Sequence, residues 1–265
     1  MAIKRITSRD NALFKELKQL ANSASARRER GRTLLDGVHL CETYMRQLGM
    51  PRACILGDKA LAHPEANEIF VLCEARGALC IALPDALFAA IGQVEHGIQV
   101  LFVIDVPQSR ENLPFQHSAV LLDQLQDPGN LGSILRTAAA AGVKSIFCSN
   151  GCASAWSPKV LRAGMGAHFS LAIAENVDLA AVMAQSLVPT IATSSYAQDS
   201  LYSIDLRNPV AWLFGHEGQG VTPALLAQAT RQVLIPQIGA VESLNVAASA
   251  AVCLFEHVRQ QKLSN

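Results

Sequence analysis

Residues 118–148 read SAVLLDQLQDPGNLGSILRTAAAAGVKSIFC, and this stretch carries the fold in miniature. Val120-Leu121-Leu122 and Ser145-Ile146-Phe147-Cys148 are short apolar runs; between them Leu131 to Ala141 has helical apolar spacing, stopped by Gly142. Short runs without alternation fit strands buried on both faces, which favours a parallel sheet covered by helices. Working outward, strands are expected at Phe169 to Ile173, Thr190 to Ala192, Val210 to Phe214 and Gln232 to Ile235. Helices are expected at Asp178 to Gln185, Pro223 to Gln228 and Leu244 to Arg259. The fold class is α/β with a parallel C-terminal sheet.

Upstream, a smaller α/β domain is expected over residues 33–104. Its apolar runs are Thr33-Leu34-Leu35, Ala53-Cys54-Ile55-Leu56, Ile69-Phe70-Val71-Leu72, Leu79-Cys80-Ile81-Ala82 and Val100-Leu101-Phe102-Val103, all read as strands. Helices are expected at Val38 to Leu48 and Asp85 to Ile91. Residues 105–117, with two prolines, read as a linker to the domain 118–265. Ser8 to Leu20 has helical spacing (Leu13, Phe14, Leu17, Leu20), and Ala21 to Arg32 reads as a flexible basic connection, so residues 1–32 stand apart.

Half of the 265 residues are hydrophobic, enough for a sizeable core. No apolar run approaches the roughly 20 residues that span a bilayer, and the first residues lack the apolar stretch of a signal peptide. A cytoplasmic protein with no membrane association is expected. The seven cysteines are odd in number and never spaced C-x-x-C, so they read as buried thiols without a metal. The formal net charge of zero conceals an uneven distribution: residues 1–32 hold nine Lys/Arg against three Asp/Glu, and residues 33–117 hold five against ten. Lys15, Lys18, Arg27, Arg28, Arg30 and Arg32 either follow a phosphate backbone or form a solvated, partly helical arm.

Three separated segments put glycine, proline or asparagine where an expected strand ends. They are Asp127-Pro128-Gly129-Asn130-Leu131-Gly132 running to Arg136, Phe214-Gly215-His216-Glu217-Gly218-Gln219-Gly220, and Ile235-Pro236 leading to Glu242-Ser243-Leu244-Asn245. Ligands of parallel α/β sheets gather outside the carboxyl ends of the strands. Asn130 stands where an N-cap belongs, and Arg136 lies away from the apolar face of Leu131, Ile134, Leu135 and Ala138. Arg136 is either an ordinary surface arginine or a fork for phosphate. The glycines around Glu217 match neither a dinucleotide fingerprint nor a P-loop, and His216 reads as a loop histidine rather than a general base. Ser243 or its neighbour caps the last helix, with Asn245 in the first turn.

In order and spacing the three segments resemble the three signature motifs of the SpoU (TrmH-like) RNA ribose methyltransferases of the SPOUT superfamily. Asp127 to Gly142 is similar to the first motif, Leu213 to Val221 to the second and Ile235 to Val252 to the third, while Ser157 to Ala167 resembles the stretch between the first two. Residues 33–103 are similar to the N-terminal substrate-binding domain of many members, with Leu35-Asp36-Gly37 in place of the usual Val-Glu-Gly. The resemblance implies S-adenosylmethionine as methyl donor, an RNA 2′-hydroxyl in rRNA or tRNA as acceptor, no metal, a deep trefoil knot and a homodimer. It implies catalytic roles for Asn130, Arg136, Glu217, Ser243 and Asn245, and cofactor contacts around Thr193, Leu213, Gly215, Ile235 and Leu244. A catalytically silent RNA-binding or ribosome-assembly factor of the same fold is the alternative; loss of Arg136, Glu217 or Asn245 would mark it, and all three are present.

Overall fold

The computed structural model describes residues 3–93, 97–107, 113–241 and 243–262. It divides into two compact units, Met1–Gln108 with Trp156–Phe169, and Ser109–Ala155 with Ser170–Asn265.

In the first unit the elements run β1 (Lys4–Arg5), α1 (Ala12–Asn22), α2 (Ala24–Arg30), β2 (Arg32–Asp36), α3 (Val38–Gln47), β3 (Ala53–Gly57), α4 (Pro64–Ala75), β4 (Leu79–Leu83), α5 (Asp85–Phe88) and β5 (Val100–Asp105). The sheet order is β1-β4-β3-β5-β2, with β5 antiparallel to both β3 and β2. Two expectations fail here. Ile69 to Leu72 is not a strand but the middle of α4, whose buried Ala66, Ile69, Phe70 and Cys73 follow helical spacing after Pro64 at the helix start. Residues 1–32 are not a separate arm, because Phe14, Leu17 and Leu20 of α1 are buried in the same core as Leu34, Ile55 and Leu101. Burying each such side chain contributes about 1.5–3 kcal/mol.

The basic segment is largely committed to this packing. Ser23 ends α1 and its hydroxyl caps α2, so the expected flexible connection is helical. The buried Arg27 donates to Leu20 O at 2.8 Å, satisfying a carbonyl in the last turn of α1. Glu16 Oε1 lies 3.3 Å from both Arg30 and Arg32. The side chains of Lys18 and Arg28 remain exposed without such partners among the described residues.

The second unit holds β6 (Ala119–Leu122), α6 (Pro128–Ala140) and β7 (Ser145–Ser149). The chain then passes through α7 (Pro158–Gly164), which groups with the first unit, and this departs from the expected span 118–265. Thr33 Oγ1 donates to Trp156 O at 2.7 Å, and Tyr44 meets Phe169 edge to face, which binds the excursion there. The second unit resumes with β8 (Ala172–Val177), later than the expected strand from Phe169, then α8 (Leu179–Ala184), β9 (Thr190–Thr193), β10 (Asp199–Ser200), β11 (Ala211–Phe214), α9 (Pro223–Gln228), β12 (Arg231–Leu234) and α10 (Val246–Lys262).

Its seven strands are all parallel, in the order β10-β12-β9-β11-β6-β7-β8. The chain runs from β6 to β7 and β8 on one side and then crosses to β9 on the other, where β11 later fills the place beside β6, so the adjacent ends of β6 and β11 form a topological switch point. Leu121, Phe147, Ala192 and Leu213 lie in one buried cluster, and α10 packs against α6. No described helix is long and apolar enough to cross a membrane.

His257 of α10 is 4% exposed. Its Nδ1 accepts from Trp212 Nε1 at 3.4 Å, leaving Nε2 to donate to Asn208 O at 3.2 Å, the pattern of a neutral ring. Burial, opposed only in part by that carbonyl, lowers its pKa below the ordinary 6.5. The unfolded chain therefore binds the proton more readily, so this contribution to stability is complete above the unfolded value and fades as pH falls through the folded one. Between pH 7 and pH 5 the wild type is expected to lose a few degrees of Tm more than His257→Gln, as followed by circular dichroism; equal losses would assign the acid sensitivity elsewhere.

Candidate functional site at the strand ends

Asp127 rather than Asn130 caps α6: its Oδ1 accepts the Asn130 N–H at 2.7 Å, and Pro128 follows in the first turn. An Asp-Pro pair at a helix start was the sequence signal for this, since proline's missing N–H costs nothing there. Asn130 is displaced into the helix, and its side chain is freed for longer-range contacts.

Those contacts join all three segments. Asn130 Nδ2 donates to Glu217 Oε1 at 3.1 Å, and Asn130 Oδ1 accepts from Asn245 Nδ2 at 3.0 Å. Glu217 also accepts the Asp127 N–H at 3.0 Å and the Gln126 N–H at 3.3 Å. Asn245 caps α10 rather than lying within its first turn, because Oδ1 accepts the Ala247 and Ala248 N–H groups at 2.9 and 3.2 Å. The result is a continuous relay from the start of α10 through Asn245 and Asn130 to the Glu217 carboxylate. Burial alone would raise the pKa of Glu217, but the backbone N–H groups of Glu217, Asp127 and Gln126 and the Asn130 amide together hold it below the usual 4.5. Glu217 is a saturated, ionised acceptor at neutral pH, suited to orienting rather than to removing a proton.

The loop carrying Glu217 is built by its glycines. Gly215 directly follows β11 and is buried, and a Cβ there would overlap the backbone of Gly220 and Val221. His216 and Gly220 exchange backbone hydrogen bonds at 3.0 and 2.8 Å, with Gly220 at φ +71°. His216 Nδ1 accepts the Gly218 N–H at 2.9 Å, so this histidine closes its own loop.

Other expected residues stand apart from the relay. Arg136 is exposed on α6 with no hydrogen bond or ion pair among the described residues, about 9 Å along the axis from Asn130 at 1.5 Å per residue. Ser243 and Leu244 are exposed, without a side-chain hydrogen bond for Ser243 among the described residues, and Glu242 lies outside those residues. Thr193 is half-buried at the end of β9, opposite Val233 of β12; Leu213 is buried in the core, and half-buried Ile235 follows β12. Leu213 can therefore offer a ligand only its backbone. Ile238, Val241 and Leu244 expose apolar side chains on the loop into α10. No cluster of metal-ligating side chains occurs among the described residues.

An all-parallel α/β unit whose three motif loops meet through a carboxylate and two amides at a switch point belongs to the class with a strand-end ligand site. Residues 117–255 match the SpoU rRNA Methylase family, and the chain belongs to that family. An uncharacterized tRNA/rRNA methyltransferase of Synechocystis sp. is 34% identical over 98% of this chain and 95% of its own length. The 23S rRNA (guanosine(2553)-2′-O)-methyltransferase RlmP of Bacillus subtilis is 29% identical over 97% of this chain and 100% of its own length. Among solved structures, the AdoMet-bound rRNA methyltransferase of Sinorhizobium meliloti is similar with a TM-score of 0.84 and 27% identity, covering 97% of this chain and 98% of that one.

Proposed function

We propose that this protein transfers a methyl group from S-adenosylmethionine to a ribose 2′-hydroxyl of structured RNA, ribosomal RNA in preference to tRNA. The observation that carries the reading is the Asn245–Asn130–Glu217 relay, which unites three motifs far apart in sequence at adjacent strand ends. Named relatives that act on 23S rRNA support the choice of RNA.

The residues present fit the donor. Gly215 lets the strand end close tightly on the Gly220–Val221 backbone, which fixes the loop beside the site, and exposed Ile238, Val241 and Leu244 offer apolar surface to a purine. Thr193, Leu213, Gly215, Ile235 and Leu244 would hold it, largely through backbone. The bound donor supplies an electrophilic methyl group on a sulfonium.

The chain's own task is to align the hydroxyl and stabilise negative charge on its oxygen as its proton passes to solvent water, the donor leaving as a neutral thioether. Glu217 fixes Asn130, and Asn130 with Ser243 and Asn245 orients the reacting groups. Arg136 clamps a phosphate beside the target ribose and offsets the alkoxide charge, its planar fork suiting both. Arginine stays protonated at any working pH, so Arg136 acts as a cation and not as the base.

The same reading gives the second unit, Ser109–Ala155 with Ser170–Asn265, the catalytic role, with a deep trefoil knot in the C-terminal segment, and the first unit, Met1–Gln108 with Trp156–Phe169, the grip on RNA. It includes a cytoplasmic homodimer, which would cover exposed apolar groups such as Phe255 of α10. The test is methyl transfer from radiolabelled S-adenosylmethionine to stripped rRNA and unmodified tRNA, followed by nucleoside digestion. Label in a 2′-O-methyl nucleoside from rRNA is the expected result. Label in a base, or donor binding with no transfer to any RNA, would overturn it, the second outcome in favour of a silent binding factor.

A further inference from the structure

Asp123, directly after β6, is 3% exposed and has no part in the site described above. Its two carboxylate oxygens are taken by two different loops. Oδ2 accepts the Thr222 N–H at 2.9 Å, and Oδ1 accepts the Ser149 hydroxyl at 3.4 Å, a proton shared with Asn150 O at 3.2 Å. Its own N–H donates to Phe214 O at 2.9 Å.

The turn that follows is fastened at every step. Gln124 N–H donates to Ser149 Oγ at 2.9 Å. Cys152 Sγ accepts the Leu125 N–H and donates to Leu122 O, both at 3.3 Å. Between these anchors Gln124 adopts φ +53°, a left-handed conformation uncommon for a residue with a side chain. Such conformations persist only where the surroundings over-determine them, and they concentrate at functional sites. The turn delivers the next two amides, those of Gln126 and Asp127, to the Glu217 carboxylate. Thr222, on the other side, closes the loop on which Glu217 itself is carried. Asp123 thus fastens both the donors and the acceptor of the same hydrogen bonds. A buried carboxylate is costly beside an apolar residue of similar volume, so its presence at this junction calls for a reason beyond packing.

We propose that Asp123 is a positioning residue of the methyl transfer: its carboxylate sets the spacing between the β6–α6 turn and the Glu217 loop, and it acts on the reaction through Glu217. This rests on the methyl-transfer reading above. The test is a double-mutant cycle of Asp123→Ala with Glu217→Gln, measured as kcat and KM for RNA methylation.

Asp123→Ala is expected to lower kcat on the order of 10²-fold, the effect of an ångström of misplacement, with KM for RNA little changed. In the Glu217→Gln background the same substitution should lower kcat by less than about threefold, because residues acting as one unit are not additive. Asp123→Asn should restore most of the activity. Its amide oxygen still accepts from Thr222, and its Nδ2 can donate to Ser149 Oγ, whose proton then goes wholly to Asn150 O. Melting curves establish that each variant is folded. Where Asp123→Ala is not, Ser149→Ala removes one half of the latch, and a several-fold loss of kcat that vanishes in Glu217→Gln is the expected result. Multiplicative losses in an active enzyme, or a wild-type kcat in Asp123→Ala, overturn the proposal alone; a wild type that methylates no RNA overturns it together with the proposed function.

Discussion

Arg136→Ala is expected to reduce kcat for RNA methylation by about 10²–10³-fold, the usual cost of removing one preorganised group that meets developing charge. Two further readings separate this from a folding defect. Arg136 makes no hydrogen bond or ion pair among the described residues and lies exposed on α6, so its truncation should leave the stability within about 0.5 kcal/mol of wild type. The S-adenosylmethionine Kd by calorimetry should be equally unaffected, because the groups proposed to hold the donor come from other segments. Arg136→Lys tests the fork against the charge: a bidentate grip on phosphate is lost although the cation remains, so most of the defect should persist. Near-normal turnover in Arg136→Lys would remove the fork from the argument. If Arg136 serves as a fixed cation, the pH–rate profiles of the wild type and Arg136→Lys should differ in height and not in shape. An ionisation present in the wild type and absent from the lysine variant would instead restore a proton-transfer role.

How much of this was legible in the sequence depended on the distance over which each feature is determined. The parallel strands at Val120–Leu122, Ser145–Cys148 and Val210–Phe214 could be read because burial on both faces leaves an uninterrupted apolar run. Ile69 to Leu72 looks the same in a four-residue window but belongs to α4. Only the wider spacing of Ala66, Ile69, Phe70 and Cys73, following Pro64, marks it as helix. The motifs put Asn130, Glu217 and Asn245 in one expected site, and the structure joins them by hydrogen bonds, yet that partnering links residues 87 and 115 positions apart, beyond any local signal. Asp127 is a related case: the Asp-Pro pair marks the cap, but Asn130 matches the N-cap preference equally well in the sequence alone. Nothing local distinguishes Arg27, buried against the carbonyls that end α1, from the exposed Arg28 beside it, so the basic segment looked more available to phosphate than it is.

Gly215→Ala is expected to be the most damaging single methyl group in the chain, and it separates the role of Gly215 from that of its neighbour Gly218. At Gly215 the new Cβ would overlap Gly220 and Val221, and backbone atoms cannot swing aside as a flexible side chain can. Relief requires the His216–Gly220 loop to open, breaking the paired backbone bonds at its neck and withdrawing Glu217 from Asn130. Overpacking of this kind costs about 1–3 kcal/mol, and a contact against backbone belongs at the upper end, which corresponds to a fall in Tm of roughly 6–12 °C for a domain of this size. Binding of S-adenosylmethionine should weaken by at least about 10²-fold, since the opened loop no longer presents its backbone groups in a fixed arrangement. At Gly218 a Cβ would meet only His216 ring atoms at 3.8 Å, an ordinary van der Waals distance. Gly218→Ala should therefore leave Tm and donor affinity close to wild type. Equal effects of the two substitutions, measured by differential scanning calorimetry and titration calorimetry on the same preparations, would mean that the loop tolerates opening. In that event the close approach of strand end and loop would not be what holds Glu217, and the relay would have to be maintained from the α6 and α10 side alone.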